Sequence, residues 1–169
     1  MAAVDDLRCF GSSPDLNRDP RWQCLPFDQV PAVTLYHMLE LRSRVFVVEQ
    51  QCIYQDMDGA DLDALMVIGA LASNAPVIAT ARILPPGRRF DEPSIGRVCI
   101  DSGCRGRGWG RALMTFAIAR TRERHRGLAI RISAQAHLQP FYETLGFAVI
   151  SAPYLEDGIP HLEMRLAAD

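Results

Sequence analysis

The stretch Gly103-Cys104-Arg105-Gly106-Arg107-Gly108-Trp109-Gly110-Arg111, running on through ALMTFAIARTRERHRG to Gly127, decides the fold. Trp109, Ala112, Leu113, Phe116 and Ala117 recur at i, i+3, i+4, i+7 and i+8, while Arg111, Arg122 and Glu123 fall mostly elsewhere. That is the pattern of an amphipathic helix with one buried face. A glycine-rich loop opens it, and the apolar run Ser94 to Ile100 before the loop reads as a strand. Strand, glycine loop, helix is a device for holding phosphate: the backbone approaches the ligand closely and the free amides of the helix N-terminus point at the anion. Arg105, Arg107 and Arg111 add cationic donors. The plainer reading is a glycine turn that only starts a helix.

The loop excludes the common phosphate motifs. Gly103 and Gly108 have Walker A spacing, but Trp109 stands where that motif needs lysine. Gly106 and Gly108 begin a dinucleotide fingerprint, but Arg111 stands where its third glycine belongs. The pattern that fits is [Q/R]-x-x-G-x-[G/A], with Arg105, Gly108 and Gly110 at its fixed positions.

Outward from the loop, elements alternate without repeats. Arg21 to Pro26 reads as a strand. Pro31 stands where a helix begins, and Leu35, Met38, Leu39 and Arg42 lie along its stripe to about Phe46. VFVVEQ follows as its end or as a second short helix. Leu65 to Leu71 and Val77 to Leu84 are strands around the turn SNAP. Leu128 to Ala134 is a strand, His137 to Leu145 a short helix closed by Gly146, and Phe147 to Ser151 and His161 to Leu166 the last strands. This order implies an α+β domain with a mixed sheet. The domain covers residues 21–169, and residues 1–20, rich in Asp, Ser, Pro and Asn, read as a flexible N-terminal extension.

Composition sets limits. The 169 residues are 49% hydrophobic with a formal net charge of −2, which fits one domain and carries no electrostatic footprint for nucleic acid or an anionic membrane. All 18 basic residues are arginine, so chemistry that needs a lysine amine in this chain is excluded. Cys9, Cys24, Cys52, Cys99 and Cys104 show no metal-ligand spacing, and their scatter suits a reduced, cytoplasmic protein with no bound metal. No segment has the length of a signal peptide or a membrane span.

A second element lies downstream: Gln135-Ala136-His137-Leu138-Gln139-Pro140-Phe141-Tyr142-Glu143-Thr144-Leu145-Gly146-Phe147. With the loop, and with LRSRVFVVEQQCIYQDMDGADLD and YLEDGIPHLEMRL, it resembles the GNAT superfamily of N-acetyltransferases, in its ElaA-type branch. The four strings span about Leu41 to Leu166. The family usually has Asn where Gln135 stands. The resemblance implies a GNAT-like acyl-CoA N-acyltransferase fold, with a central mixed, mostly antiparallel sheet flanked by helices. It also implies acetyl-CoA as co-substrate, a small-molecule or peptide amine as acceptor, and direct transfer between them. A homodimer is compatible with it. The loop residues Arg105, Gly106, Arg107, Gly108, Trp109, Gly110 and Arg111 would then take the pyrophosphate. Val98, Cys99 and Ile100 would offer backbone amides to the pantetheine arm and oxyanion, with Gln135 and Phe141 beside the cofactor.

Transfer to an amine needs a base for the ammonium and an acid for the leaving thiolate. Tyr142 is the candidate acid, against a half-buried core tyrosine. Glu49 is the candidate base, against a surface charge at a helix end, and His137 and His161 compete for that role. Cys99 and Cys104 flank the cofactor region without a partner base and read as packing residues. The acidic run from Asp56 to Asp63 lacks the glycine and glutamate of a calcium loop. It is read as a solvated turn or as an acidic rim for a cationic amine. Arg82 and Arg97 either need carboxylate partners or bind a substrate carboxylate. Two other functions remain open on the sequence. One is an acyl-homoserine-lactone-synthase-like acyltransferase, suggested by Arg42 to Phe46; the other is a CoA-binding sensor or interaction domain without turnover.

Overall fold

In the computed structural model residues 18–73 and 75–169 are described. Of the expected N-terminal extension, residues 1–17 lie outside them, as does Asn74 of the expected turn. The strands are β1 (Arg21–Pro26), β2 (Leu65–Ala70), β3 (Val77–Leu84), β4 (Ser94–Ile100), β5 (Ile130–Gln135), β6 (Ala148–Val149), β7 (Tyr154–Glu156) and β8 (Ile159–Leu166). The helices are α1 (Ala32–Arg42), α2 (Trp109–Arg124) and α3 (Gln139–Glu143).

The strands form one sheet in the order β1-β2-β3-β4-β5-β8-β6, with β7 also paired to β8. The sheet is mixed and mostly antiparallel, as expected. Its parallel contact is β4 with β5, linked by α2 as a crossover. Side-chain alternation sends the two faces to different helices. Val67, Ala79, Ala81 and Ile83 pack with Leu113, Met114 and Ala117 of α2. Met66, Ile68 and Leu84 pack with Met38 and Leu41 of α1. β3 is buried along its whole length, because both helices cover it.

β1, β3 and β4 have the expected bounds. Other expectations change: β2 ends at Ala70 and not Leu71, β8 begins at Ile159 and not His161, and the helix expected over His137 to Leu145 is a 3-10 turn, Ala136–Leu138, followed by α3. The strand expected from Leu128 begins at Ile130, because Leu128 stays exposed in the turn after α2. The strand expected over Phe147 to Ser151 shrinks to Ala148–Val149, and β7 is an additional short strand on β8. Of the two readings of VFVVEQ, the helix's own end holds: Ser43–Glu49 continues α1 past Phe46 as a π-helical segment, closed by the Gln50 amide donating to the Val45 carbonyl at 3.2 Å.

Candidate functional site

Parallel strands normally pair along their length. Here the β4–β5 ladder holds a single register pair, Ser94 with Arg131, beside the Arg131 amide bonding to the Pro93 carbonyl at 3.0 Å. Beyond it the strands part. The parting opens a cleft of about 740 Å³ between the π-helical segment, β4, the glycine loop, β5 and α3. Val98, Cys99, Ile100, Gln135, Phe141 and Tyr142 all line it. The cleft edge of β4 beyond Ser94 is left without a strand partner, so polar backbone groups there are open to a ligand.

A β-bulge marks the same strand. Arg82 pairs with Gly96 and Thr80 with Cys99, so Arg97 and Val98 together face Ala81. Arg97 holds the extra residue with φ 50°, a left-handed conformation rare for a side-chain-bearing residue.

The glycine loop reaches the mouth of the cleft. Gly106 and Gly108 have φ 77° and 79°, and Gly108 caps α2. The amides of Gly106, Gly108, Trp109 and Gly110 make no hydrogen bond to other described residues. Such a row of free N–H groups at a helix N-terminus is an anion-binding nest. An added Cβ at any of the three glycines meets nothing within 4 Å, so the space before the amides is open. The residues fit a pyrophosphate.

The three loop arginines take different places. Arg105 lines the cleft, with Nη1 and Nη2 on the two Glu49 carboxylate oxygens at 2.5 and 3.0 Å and Nε on the Ile100 carbonyl at 3.2 Å. Arg107 lies over the Trp109 ring, 5.6 Å from its centre. Arg111 turns to α3 instead, with Nη2 on Thr144 Oγ1 at 2.7 Å. The geometry gives Arg111 the work of tying α2 to the turn after α3.

Tyr142 is buried in an aromatic cluster, edge-on to Phe141 at 5.1 Å and Phe147 at 6.0 Å. Its hydroxyl makes no hydrogen bond among the described residues, and burial pushes its pKa up to about 12. It is therefore a protonated phenol at neutral pH. Glu49 has both carboxylate oxygens engaged by Arg105. His137 lines the cleft from an exposed turn. His161 lines it half-buried, stacked on Tyr154 at 6.2 Å. Its Nδ1 is 2.8 Å from the Ile159 carbonyl oxygen. A carbonyl only accepts, so Nδ1 carries the hydrogen and Nε2 of the neutral ring keeps its lone pair.

Beside His161, the Ser133 hydroxyl donates to Glu156 at 2.7 Å and lies 2.5 Å from the Tyr154 hydroxyl, while Arg89 reaches the other Glu156 oxygen at 2.7 Å. Burial pushes the Glu156 carboxyl up, but Ser133 and Arg89 outweigh it and hold the group below the usual range. Gln135 reaches across the cleft to Gln50 at 3.1 Å, which is what the glutamine does in place of the family asparagine. Cys99 is 5% exposed and its thiol is pushed up to about 12 by burial. Cys104 is raised in the same way, so both fit the packing role expected for them.

The acidic run is a solvated turn only in part: Met57, Asp58, Gly59, Leu62 and Asp63 are exposed, but two of its carboxylates turn inward. Asp56 and Asp61 are 6% and 5% exposed. Arg42, wholly buried at the end of α1, holds Asp56 at 2.8 Å and Asp61 at 2.9 Å. Arg82 holds Asp58 at 2.7 Å and Asp61 at 3.0 Å, and Arg97 holds Asp56 at 2.7 Å and Asp58 at 3.1 Å. Three guanidinium and three carboxylate groups thus neutralise one another. Arg82 and Arg97 have carboxylate partners, and the substrate-carboxylate alternative falls away. Arg42 and Tyr54, whose hydroxyl bonds Asp56 at 2.9 Å, are members of this cluster that local pattern does not reveal.

Residues 38–168 match the family model described as an acetyltransferase (GNAT) domain. Among similar proteins, protein ElaA of Escherichia coli is 39% identical over 145 residues, covering 85% of this chain and 94% of its own. A crystal structure of an acyl-CoA N-acyltransferase from Pseudomonas aeruginosa is 39% identical and superposes with a TM-score of 0.82, covering 88% of this chain and 99% of that one. The crystal structure of Escherichia coli ElaA gives 38% identity and a TM-score of 0.80, covering 87% and 99%. The fold is therefore the acyl-CoA N-acyltransferase fold expected from the sequence. Among the described residues, no helix is long and apolar enough to cross a membrane.

Proposed function

The chain belongs to the GNAT acetyltransferase family, and on that premise we propose that it transfers the acetyl group of acetyl-CoA directly to a primary amine. The observation that carries the reading is the parting of β4 from β5, which collects an amide nest, a free strand edge and a buried phenol in one cleft.

Each residue has a part. The amides of Gly106, Gly108, Trp109 and Gly110, with Arg105 beside them, take the pyrophosphate. The backbone of Val98, Cys99 and Ile100 holds the pantetheine arm and donates to the carbonyl oxygen as it gains negative charge. His161 Nε2 removes a proton from the acceptor ammonium, and the freed amine attacks the thioester carbon. As the carbon–sulfur bond breaks, Tyr142 passes its proton to the leaving sulfur, and the phenolate so formed takes the second proton from the attacking nitrogen, leaving a neutral amide and a free thiol. Phe141 and Trp109 exclude water around that exchange.

Thiol release from acetyl-CoA against polyamines, amino sugars, aminoacyl compounds and peptide N-termini tests the activity. Release with at least one amine class is expected. Acetyl-CoA should also raise the melting temperature where NAD and ATP do not. No thermal shift at millimolar acetyl-CoA overturns the cofactor assignment. A shift without release against any amine favours a non-catalytic CoA-binding domain.

A further inference from the structure

Buried ion pairs are costly to assemble, because their charges leave water before they meet; Arg42, Arg82, Asp56 and Asp61 are buried in this way, while Asp58 closes the cluster from the surface with its side chain 34% exposed. A solvated loop would close the chain between Glu49 and β2 without them. The cluster around Asp58 therefore calls for a reason, and its position supplies one.

Asp58 sits across the point where the β3–β4 register slips. Its Oδ2 accepts from Arg82 Nη2 at 2.9 Å and from Arg97 Nη2 at 3.1 Å. Arg82 belongs to β3 and pairs with Gly96; Arg97 is the left-handed residue of the β4 bulge. One carboxylate thus spans both strands at the bulge. Asp56 holds Arg97 from the other side: its carbonyl accepts from Nη2 at 3.1 Å, and its carboxylate forms an ion pair with the guanidinium, 2.7 Å from Nε and without hydrogen-bond alignment. The Tyr54 ring lies under the guanidinium at 5.3 Å. Arg42 fixes Asp56 in turn. A left-handed arginine in a strand persists only where its surroundings hold it, and Asp56, Asp58 and the Tyr54 ring supply that hold.

We propose that Asp58 is a positioning residue for acetyl transfer: by bridging Arg82 and Arg97 it keeps the bulge open, so that the Val98 backbone stays out of the β3 ladder and serves the thioester oxygen. The inference rests on the acetyl-transfer reading above. It assigns the bulge a support outside the cleft chemistry, and Asp58 itself touches no substrate.

The test reads the carbonyl directly. Infrared difference spectra of acetyl-CoA labelled with carbon-13 at the carbonyl are recorded free and bound, beside binding by calorimetry and thiol release. In the wild-type protein the bound carbonyl stretch falls to lower frequency. In Asp58→Asn the stretch returns toward its free value and kcat falls about 100-fold, the size of losing one oxyanion donor, while acetyl-CoA affinity is kept. Adding Arg97→Gly to Asp58→Asn restores the shift and much of kcat, because glycine takes a positive φ without a side-chain hold. A loss of packing alone is not rescued by a glycine. Arg97→Val, β-branched and unsuited to that φ, loses the shift with Asp58 in place and keeps the test available if Asp58→Asn does not fold. A wild-type shift preserved in Asp58→Asn or in Arg97→Val overturns the clamp alone. No shift and no thiol release in the wild-type protein overturns the acetyl-transfer reading and the clamp with it.

Discussion

Glu49 and Arg105 face each other across the cleft mouth in a two-point ion pair, at 2.5 and 3.0 Å. The pair joins the end of the π-helical segment to the glycine loop. It also gives one residue pair two competing duties, since Arg105 is wanted by a phosphate and Glu49 by an ammonium.

The competition is resolved by Glu49→Gln. If the carboxylate is the base, turnover collapses. If the carboxylate serves as a loop anchor through its ion pair with Arg105, the outcome expected here, kcat stays within about threefold of wild type, the range of an exposed ion pair. Freed from its counter-charge, Arg105 should bind the pyrophosphate more tightly, and KM for acetyl-CoA should fall. Steady-state kinetics at saturating amine checks both.

His161 is the proposed base, because the Ile159 carbonyl fixes the hydrogen on Nδ1 and leaves Nε2 to accept a proton. His161→Gln is expected to lower kcat about 100-fold, within the range for loss of a general base. Tyr154 and Glu156 adjoin the ring and stay in place in the variant. His137→Gln, at an exposed turn, should leave kcat near wild type.

What the sequence disclosed was local. Trp109 to Ala117 share one helical face, and β3 and β4 run between turn residues, so their bounds follow from neighbours along the chain. The nest at Gly106 to Gly110 is legible for the same reason. The partners of Asp56, Asp58 and Asp61 are not, because Arg42, Arg82 and Arg97 come from α1, β3 and β4 and meet only in the fold. An Asp-rich run bounded by a glycine looks like a solvated turn until those arginines arrive. β7 is three residues of Tyr-Leu-Glu, too short to show a period. The π-helical segment adds one residue per turn to a pattern that otherwise reads as α-helix.

The Asp58 carboxyl titrates well below the usual range. Burial raises it, but the Arg82 guanidinium, the Ala60 amide and Arg97 outweigh burial. A carboxyl whose folded pKa is depressed adds stability that is complete above its unfolded value, about 4, and is lost as pH falls toward the folded value. The melting temperature of Asp58→Asn should therefore lie below wild type at pH 5 to 8, and the gap should close as pH drops below about 4. A gap that is constant with pH would mean that the carboxylate charge contributes nothing.

Tyr142 has no hydrogen-bond partner among the described residues, and its phenol stays protonated up to about pH 12. A proton held on a buried oxygen is ready for a thiolate formed in the same cleft. Tyr142→Phe removes that proton and keeps the ring between Phe141 and Phe147. The expected result is a kcat about 100-fold lower, in line with loss of a general acid, with acetyl-CoA affinity and melting temperature near wild type. The split matters: an effect on kcat without one on affinity marks a group used in the transition state. An acyl-CoA analogue whose leaving thiol is more acidic needs less help, so the wild-type to variant ratio should shrink with it. Undiminished turnover of acetyl-CoA in Tyr142→Phe would remove the phenol from the chemistry and leave it a packing residue of α3.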